Sequence, residues 1–506
     1  MPDAGGAVPY ASSSRCHTRR RRRTNHPVDM MAPFCPGGYH PHGRSPLRKG
    51  RSRVKRLGRS AVAATVASVI LGSTAITAAA NKTGPDYVTS DNVTFVKRMP
   101  LAADGVGARV IGHYLYVTST KDLEIYDITT PENPTLVGAV TVNVEFENEQ
   151  VPTDGKLLGI SGQTPTVNTG GLCPGTVRTG CLALYDVRNP AAPTLITNVA
   201  NAGDHTSACV TVAGQTCAYM YGSGGHITDT RTALTNGQAT LLATKWTDAV
   251  VARGFARPSS CHHVTEARPG VLVVACEPVY ILSVNPGDGG SIDNPAVLGA
   301  ANYSQAPDDQ QRFVHSAIWP NGGADKILLT GGETNIQPTC GATNGAFSTF
   351  VTGGTPQAPT FTYADEIRPV AGNYTDGNPP QGTFHLGCSV HWFEQNPTFL
   401  NGGLVALAEY ENGTKFLQIG ADGKITQVGF FEPLGGSTSA PHWAPDNRTV
   451  YAIDYQRGVD VIHWDGPLTA PVNVPEVPTP ALIVTLGLGV ATAAWYVRRR
   501  TALRQG

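Results

Sequence analysis

The sequence predicts an all-β fold, a seven-bladed β-propeller, and three observations carry the prediction. A strand-and-turn unit, Asp122 to Val140 (DLEIYDITTPENPTLVGAV), returns fifty-nine residues later as Cys181 to Val199 (CLALYDVRNPAAPTLITNV). The 57 Gly and 38 Pro come with few long amphipathic runs, which favours strands and turns over helices. Residues 91–465, shared among seven units, give about 54 residues each, longer than a WD-type blade, with the surplus going to loops such as Cys340 to Pro359.

The two copies match in register at Leu123/Leu182, Tyr126/Tyr185, Asp127/Asp186, Pro131/Pro190, Pro134/Pro193, Thr135/Thr194 and Leu136/Leu195. A worn third copy runs from Val279 to Ala301, where Asn294-Pro295 and Gly299 answer Asn133-Pro134 and Gly138. Each copy opens on an alternating apolar run, the pattern of a half-buried strand. The Pro-x-x-Pro segment that follows cannot stay in a ladder, so each copy reads as two strands about a turn. With the strands LEIYDI and LALYDV, the unit resembles the LVIVD repeat, usually followed by a D-P-x-x-P-x-L-V-G turn. The resemblance implies a β-propeller and a cell-surface context, and it supplies no catalytic residues.

Residues 1–53 are basic, with an RRRRR run and no apolar periodicity, so they are expected to stay disordered as a leader or to precede the true start at Met30, Met31 or near Val54. Residues 54–80 read as a secretory signal peptide: Lys55, Arg56 and Arg59, an uncharged run from Ser60, and a small-residue exit at Ala78 to Ala80. Residues 91–465 are the propeller body and 466–480 a Pro-rich linker. Residues 481–497 are seventeen without a charge, followed by Arg498 to Arg500, which reads as a single transmembrane helix with a cytoplasmic basic tail, 498–506. The VPEVPTP lead-in resembles the carboxy-terminal sorting tails of bacterial surface proteins, without an LPXTG-type motif. The expected location is a bacterial membrane, with the body on the extracellular face and the helix as its membrane partner.

The formal net charge of zero hides a segregation, because residues 81–497 hold 20 bases against 36 acids. An acidic body excludes nucleic acid as a partner and suits cations or an extracellular protein or glycan ligand. Eight cysteines lie beyond the leader. Their grouping as Cys173/Cys181, Cys209/Cys217, Cys261/Cys276 and Cys340/Cys388 in an exported chain reads as disulfides, neighbours preferred and other connectivities open.

A histidine ladder carries the candidate chemistry. His205, His263, His315, His391 and His442 each stand ahead of a hairpin and its apolar return strand, at spacings of 58, 52, 76 and 51 that match the blade length. The return strands end on Glu277, Glu333, Glu409 and Asp454. In a propeller the first strand of each blade lines the channel, so these imidazoles and carboxylates are expected to converge at one mouth, with at least three imidazoles sharing an ion. Neutral imidazole with carboxylate suits a transition-metal ion such as zinc, manganese, iron or copper. In the first two units Arg109, a candidate anion binder, and the acids Glu145, Glu147 and Glu149 stand where a His is expected. His113, His226, His262, His385 and His463 fall off the ladder and read as surface or turn residues. No G-x-S-x-G, H-E-x-x-H, Walker or dinucleotide Gly-rich motif is present, which leaves hydrolase, peptidase and nucleotide readings without support.

Three functions remain: a membrane-anchored surface module that binds a partner, a metal-dependent enzyme, an oxidoreductase among the options, working at the His and carboxylate mouth, or a purely structural envelope component. Closure of the ring adds a further expectation. Asp91 to Leu101 should pair in the final blade with Val459 to Ile462, since a propeller that does not join its ends leaves strand edges open.

Overall fold

The computed structural model describes residues 81–468, apart from 102–103, 143–148, 163–179, 305, 307–312, 335–339, 342 and 370–385. The expected leader, signal peptide, membrane helix and basic tail, and all but the start of the linker, lie outside the described residues. Among those described, no helix is long and apolar enough to cross a membrane.

Seven antiparallel sheets follow one another along the chain, and each is one blade. Blade 1 is Gly105–Ile111, Tyr114–Ser119, Asp122–Asp127 and Thr135–Thr141. Blade 2 holds Leu157–Gly162, Cys181–Asp186 and Thr194–Ala200, and its inner edge is the segment from Gln150 to Thr153, which bridges to Ala108 and Leu158. Blade 3 begins with Ser207–Val212, blade 4 with Ser259–Arg268, blade 5 with Val314–Ile318, blade 6 with Phe393–Gln395 and blade 7 with Thr438–Trp443. First strands of neighbouring blades pack against one another around the axis.

The repeated unit is the outer half of a blade. Its two strands are the third and fourth of blade 1, the last two of blade 2 and, in the worn copy, Val279–Ser283 with Ala296–Ala301 of blade 4. All three carry a bulge at the same place, beside Val137, Ile196 and Leu298. The same shift recurs in the outer strand pairs of blades 5, 6 and 7, so it belongs to the blade architecture rather than being a local defect. The glycine of the turn motif has a packing reason: a Cβ on Gly138 would come within 2.0 Å of the Pro190 carbonyl oxygen, so the neighbouring blade leaves room only for hydrogen.

Side chains from facing blades form seven apolar layers, one at each junction of the ring. Tyr116, Leu158 and Tyr185 fill the layer between blades 1 and 2, and Phe416, Trp443 and Trp464 fill that between blades 6 and 7. The core is thus a ring, and the axis is left to polar residues.

Closure follows the expected register. Val93–Met99 forms the outer strand of blade 7, with Val459 opposite Met99 and Ile462 opposite Phe95. Tyr87–Thr89 extends the belt by pairing with Phe431 to Pro433 of blade 6. Arg457, almost fully buried, fastens the junction, because its guanidinium donates to both carboxylate oxygens of Asp460 and to Asp86 of the incoming segment. Three disulfides pair as expected, Cys209 with Cys217, Cys261 with Cys276 and Cys340 with Cys388. Cys181 is also disulfide-bonded, while Cys173 lies outside the described residues.

Candidate metal centre

First strands that start at one rim bring whatever precedes them to that rim. His205 stands two residues ahead of the first strand of blade 3 and His391 two ahead of that of blade 6, while His315 is the second residue of its strand and His262 the fourth. The four rings form a chain of contacts: His205 to His262 at 4.3 Å between centroids, His262 to His315 at 3.6 Å, and His315 to His391 at 4.3 Å. At their centre is the buried carboxylate of Glu149, from the segment that enters blade 2. The Nε2 atoms of His262, His315 and His391 lie 3.3, 3.4 and 3.4 Å from its oxygens, and that of His205 lies 3.7 Å away. Ligand atoms of Glu149, His262 and His315 all fall within 4.8 Å of one another.

These separations decide what the cluster is built for. A strong hydrogen bond from an imidazolium to a carboxylate settles at about 2.7–2.9 Å, and at 3.3–3.4 Å the contact is a weak one. Ligand atoms held about 2.0–2.1 Å from a tetrahedral ion stand roughly 3.3–3.4 Å apart, which is the spacing seen. The buried nitrogens agree: His315 has neither ring nitrogen hydrogen-bonded, and the Nε2 of His391 also lacks a partner. Leaving such atoms unsatisfied costs about 1–3 kcal/mol each, a penalty that an ion or a water held among them would remove.

Outer groups set the ligands in place. The Nδ1 of His391 donates to the Ser439 carbonyl at 2.7 Å, which turns its Nε2 toward the axis. Trp392 Nε1 donates to Glu149 at 3.1 Å and the Tyr455 hydroxyl does so at 3.3 Å. Glu333 adds a second carboxylate, 3.8 Å from His315 Nε2, and accepts a hydrogen bond from the Tyr410 hydroxyl. Electrostatics favour the ligand forms of Glu149, His262 and His315, while His391 is held toward its protonated form and has to give up a proton before it can bind an ion. Burial opposes a charged Glu149, but the charge on His391 and the rings of His205 and His315 outweigh it and hold the carboxyl well below its usual range. Burial, then the neighbouring imidazoles, pushes His262 well below its ordinary value and His315 below it. For His391 burial is overcome by Glu149, Glu333 and the Ser439 carbonyl, and its value rises.

The structure corrects part of the ladder. His205, His315, His391 and Glu333 meet at the mouth as expected. His263 does not: its Nδ1 accepts from the Ala317 amide at 3.3 Å and its ring meets Trp392 edge-on. His262 takes its place, because adjacent residues of a strand face opposite ways and a register shift between Ser259 and His263 sets which one faces the axis. His442 stays out of the cluster and faces Glu394, its Nδ1 3.3 Å from Oε2.

Two of the four expected acids bond within their own hairpins. Asp454 accepts from the Gln456 and Arg457 amides, and Glu409 accepts from the Asn412 side chain with its carboxyl pushed up to about 6 by burial. Both cap the hairpin that follows, as acids in tight turns do. Glu277 pairs across from Ser259 in blade 4 and is not among the mutually close ligand atoms. Of the residues read as surface or turn, His113 is exposed beside Tyr114, His226 pairs with Asp204 and His463 with Glu132, while His385 lies outside the described residues. Glu145 and Glu147 also lie outside them. Sequence reasoning had Glu149 as an interruption of the ladder, and its one signal was an acid at the blade-2 position where a His was due.

The family model of the LVIVD repeat matches residues 106–142, which span most of blade 1 and include the first copy of the repeated unit. No curated protein matches the chain. Among solved structures, the crystal structure of the N-terminal domain of Nup159 is similar at 10% identity and a TM-score of 0.40, over 76% of this chain and 97% of that one. The chain is a seven-bladed β-propeller that carries the LVIVD repeat.

Proposed function

We propose that this propeller is an exported surface-binding module whose built ligand is a divalent transition-metal ion at the channel mouth. One observation carries the reading: three buried imidazole Nε2 atoms stand 3.3–3.4 Å from one buried carboxylate, longer than strong charged hydrogen bonds and spaced as ligands that share an ion. His262, His315, His391 and Glu149 would hold the ion, with His205 and Glu333 at its edge. Elemental analysis of the purified 81–470 fragment is expected to find about one equivalent of zinc, copper, iron or manganese per chain. Metal far below one equivalent, after growth and dialysis in metal-replete buffer, removes the proposal.

A second reading, a metal-dependent oxidoreductase, has its own support. The Tyr410 ring stacks on His391 at 4.4 Å and 27°, and Tyr455 lies 6.4 Å from the same ring. Phenols packed on a metal ligand are able to exchange an electron with a redox-active ion. Copper or iron as the resident metal favours this reading, and zinc favours binding alone.

The surface location rests on the sequence, on the apolar run 60–80, the uncharged run 481–497 and the arginines that follow it. Protease added to intact cells is expected to release a soluble propeller. Protection of the body until the membrane is broken would reverse the orientation.

A further inference from the structure

Trp392 and Glu149 stand at one end of a second space. Beyond them a cavity of about 350 Å³ extends along the first strands past Arg109, Glu266 and Glu394. That volume falls in the range of small-molecule sites.

The lining of this second chamber has an uneven supply of partners. Its acids are spent on the protein: Glu266 accepts from the Thr211 amide and hydroxyl and from the Gly270 amide, Glu394 from the Trp443 amide and His442, and Asp154 from the Lys156 and Leu157 amides and the Thr216 hydroxyl. Arg109 is exposed, it acts on Glu394 through space, and among the described residues no oxygen is hydrogen-bonded to its guanidinium. Three buried atoms of lining residues also lack partners, namely Gln150 Oε1, Gln395 Oε1 and His442 Nε2. Gln150 is not free to turn, since its Nε2 donates across the channel to the Val264 carbonyl at 2.6 Å. The unspent groups are therefore one cation, two hydrogen-bond acceptors and one imidazole nitrogen.

We propose that this chamber binds a small polyhydroxylated carboxylate. The carboxylate takes Arg109, for which a planar guanidinium is the matching two-pronged donor. Hydroxyl groups donate to the amide oxygens of Gln150 and Gln395 and bond His442 Nε2. A neutral polyol satisfies the amides and leaves Arg109 unanswered, whereas a plain short carboxylate does the reverse, so the class needs both features. The site does not depend on an ion at the mouth, because none of its unspent atoms belongs to the metal cluster.

Titration calorimetry of the purified chain with gluconate, and with glucitol as its uncharged counterpart, tests this directly. Saturable gluconate binding in the micromolar to millimolar range is expected, with glucitol weaker. Arg109→Gln is expected to lower gluconate affinity by roughly tenfold to a hundredfold, as for loss of a hydrogen-bonded charge pair. It should leave glucitol unaffected, a difference that mere misfolding would not produce. Gln395→Leu should weaken both. The proposal is overturned if gluconate shows no saturable binding, if glucitol binds as tightly, or if Arg109→Gln binds gluconate unchanged.

Discussion

Replacing His315 and His391 together by alanine is expected to lower metal affinity by more than about a hundredfold, so that the purified variant carries well under one equivalent. Loss of an outer-sphere partner alone costs a metal site about tenfold to a hundredfold, and here two direct ligands go. Both rings are fully buried, so the variant also leaves the Glu149 carboxylate with less compensating positive charge, and some loss of stability is expected as well. Glu149→Gln separates the two effects, since it keeps shape and removes the charge that a cation needs. It should lose metal while keeping most of its melting temperature. His442→Ala is the control, because His442 faces Glu394 and stays out of the cluster, and its metal content should equal that of the parent. Unchanged uptake in the double variant and in Glu149→Gln would show that the cluster is a structural knot.

Deletion of residues 91–101 is expected to destabilise the entire body. It strips the outer strand from blade 7, with Val93 fully buried and Met99 nearly so, and opens the layers against Trp464 and Val459. Burying one large apolar side chain is worth about 1.5–3 kcal/mol, and the strand carries several besides its ladder. That sum is comparable to the total stability of a typical domain, about 5–15 kcal/mol. The variant should lose its single cooperative melt, seen by calorimetry or far-ultraviolet circular dichroism. If the melt survives with its midpoint and sharpness intact, residues 93–99 are dispensable to the ring.

The fold was legible because it is periodic. Two intact copies of a strand and turn were enough to set the blade, and the repeat even preserves a bulge whose presence no residue count reveals. The closing strand was legible too, since an apolar run ahead of the first blade has one open edge to fill. The site was half legible, and the failures share a cause. Counting residues locates the start of a strand and not the direction in which a side chain leaves it. His262 and His263 are neighbours in sequence and opposites in space, with the choice made by a register shift between Ser259 and His263. His442 obeyed the spacing and faces Glu394 instead of the cluster. Asp454 and Glu409 had amide or side-chain donors of their own turns closer than any ion. Glu149 comes from a connection that no repeat predicts, and it is the residue on which the others converge.

The pairing of Met99 with Val459 joins positions some 360 residues apart, and it sets a timetable. The strand that completes the last blade is among the first parts of the body to leave the ribosome, and it must wait for Gly458–Trp464 before it has a neighbour. Until then the growing array has two raw edges, one at each end, and contacts of such long range make assembly slow. The cup at the rim is also built stepwise, because Glu149, His262, His315 and His391 arrive on four different blades. A nascent chain cut short before His391 lacks both a ligand and a sealed ring, and one cut between His391 and Gly458 owns the ligands without the closure that holds the first blade against the last.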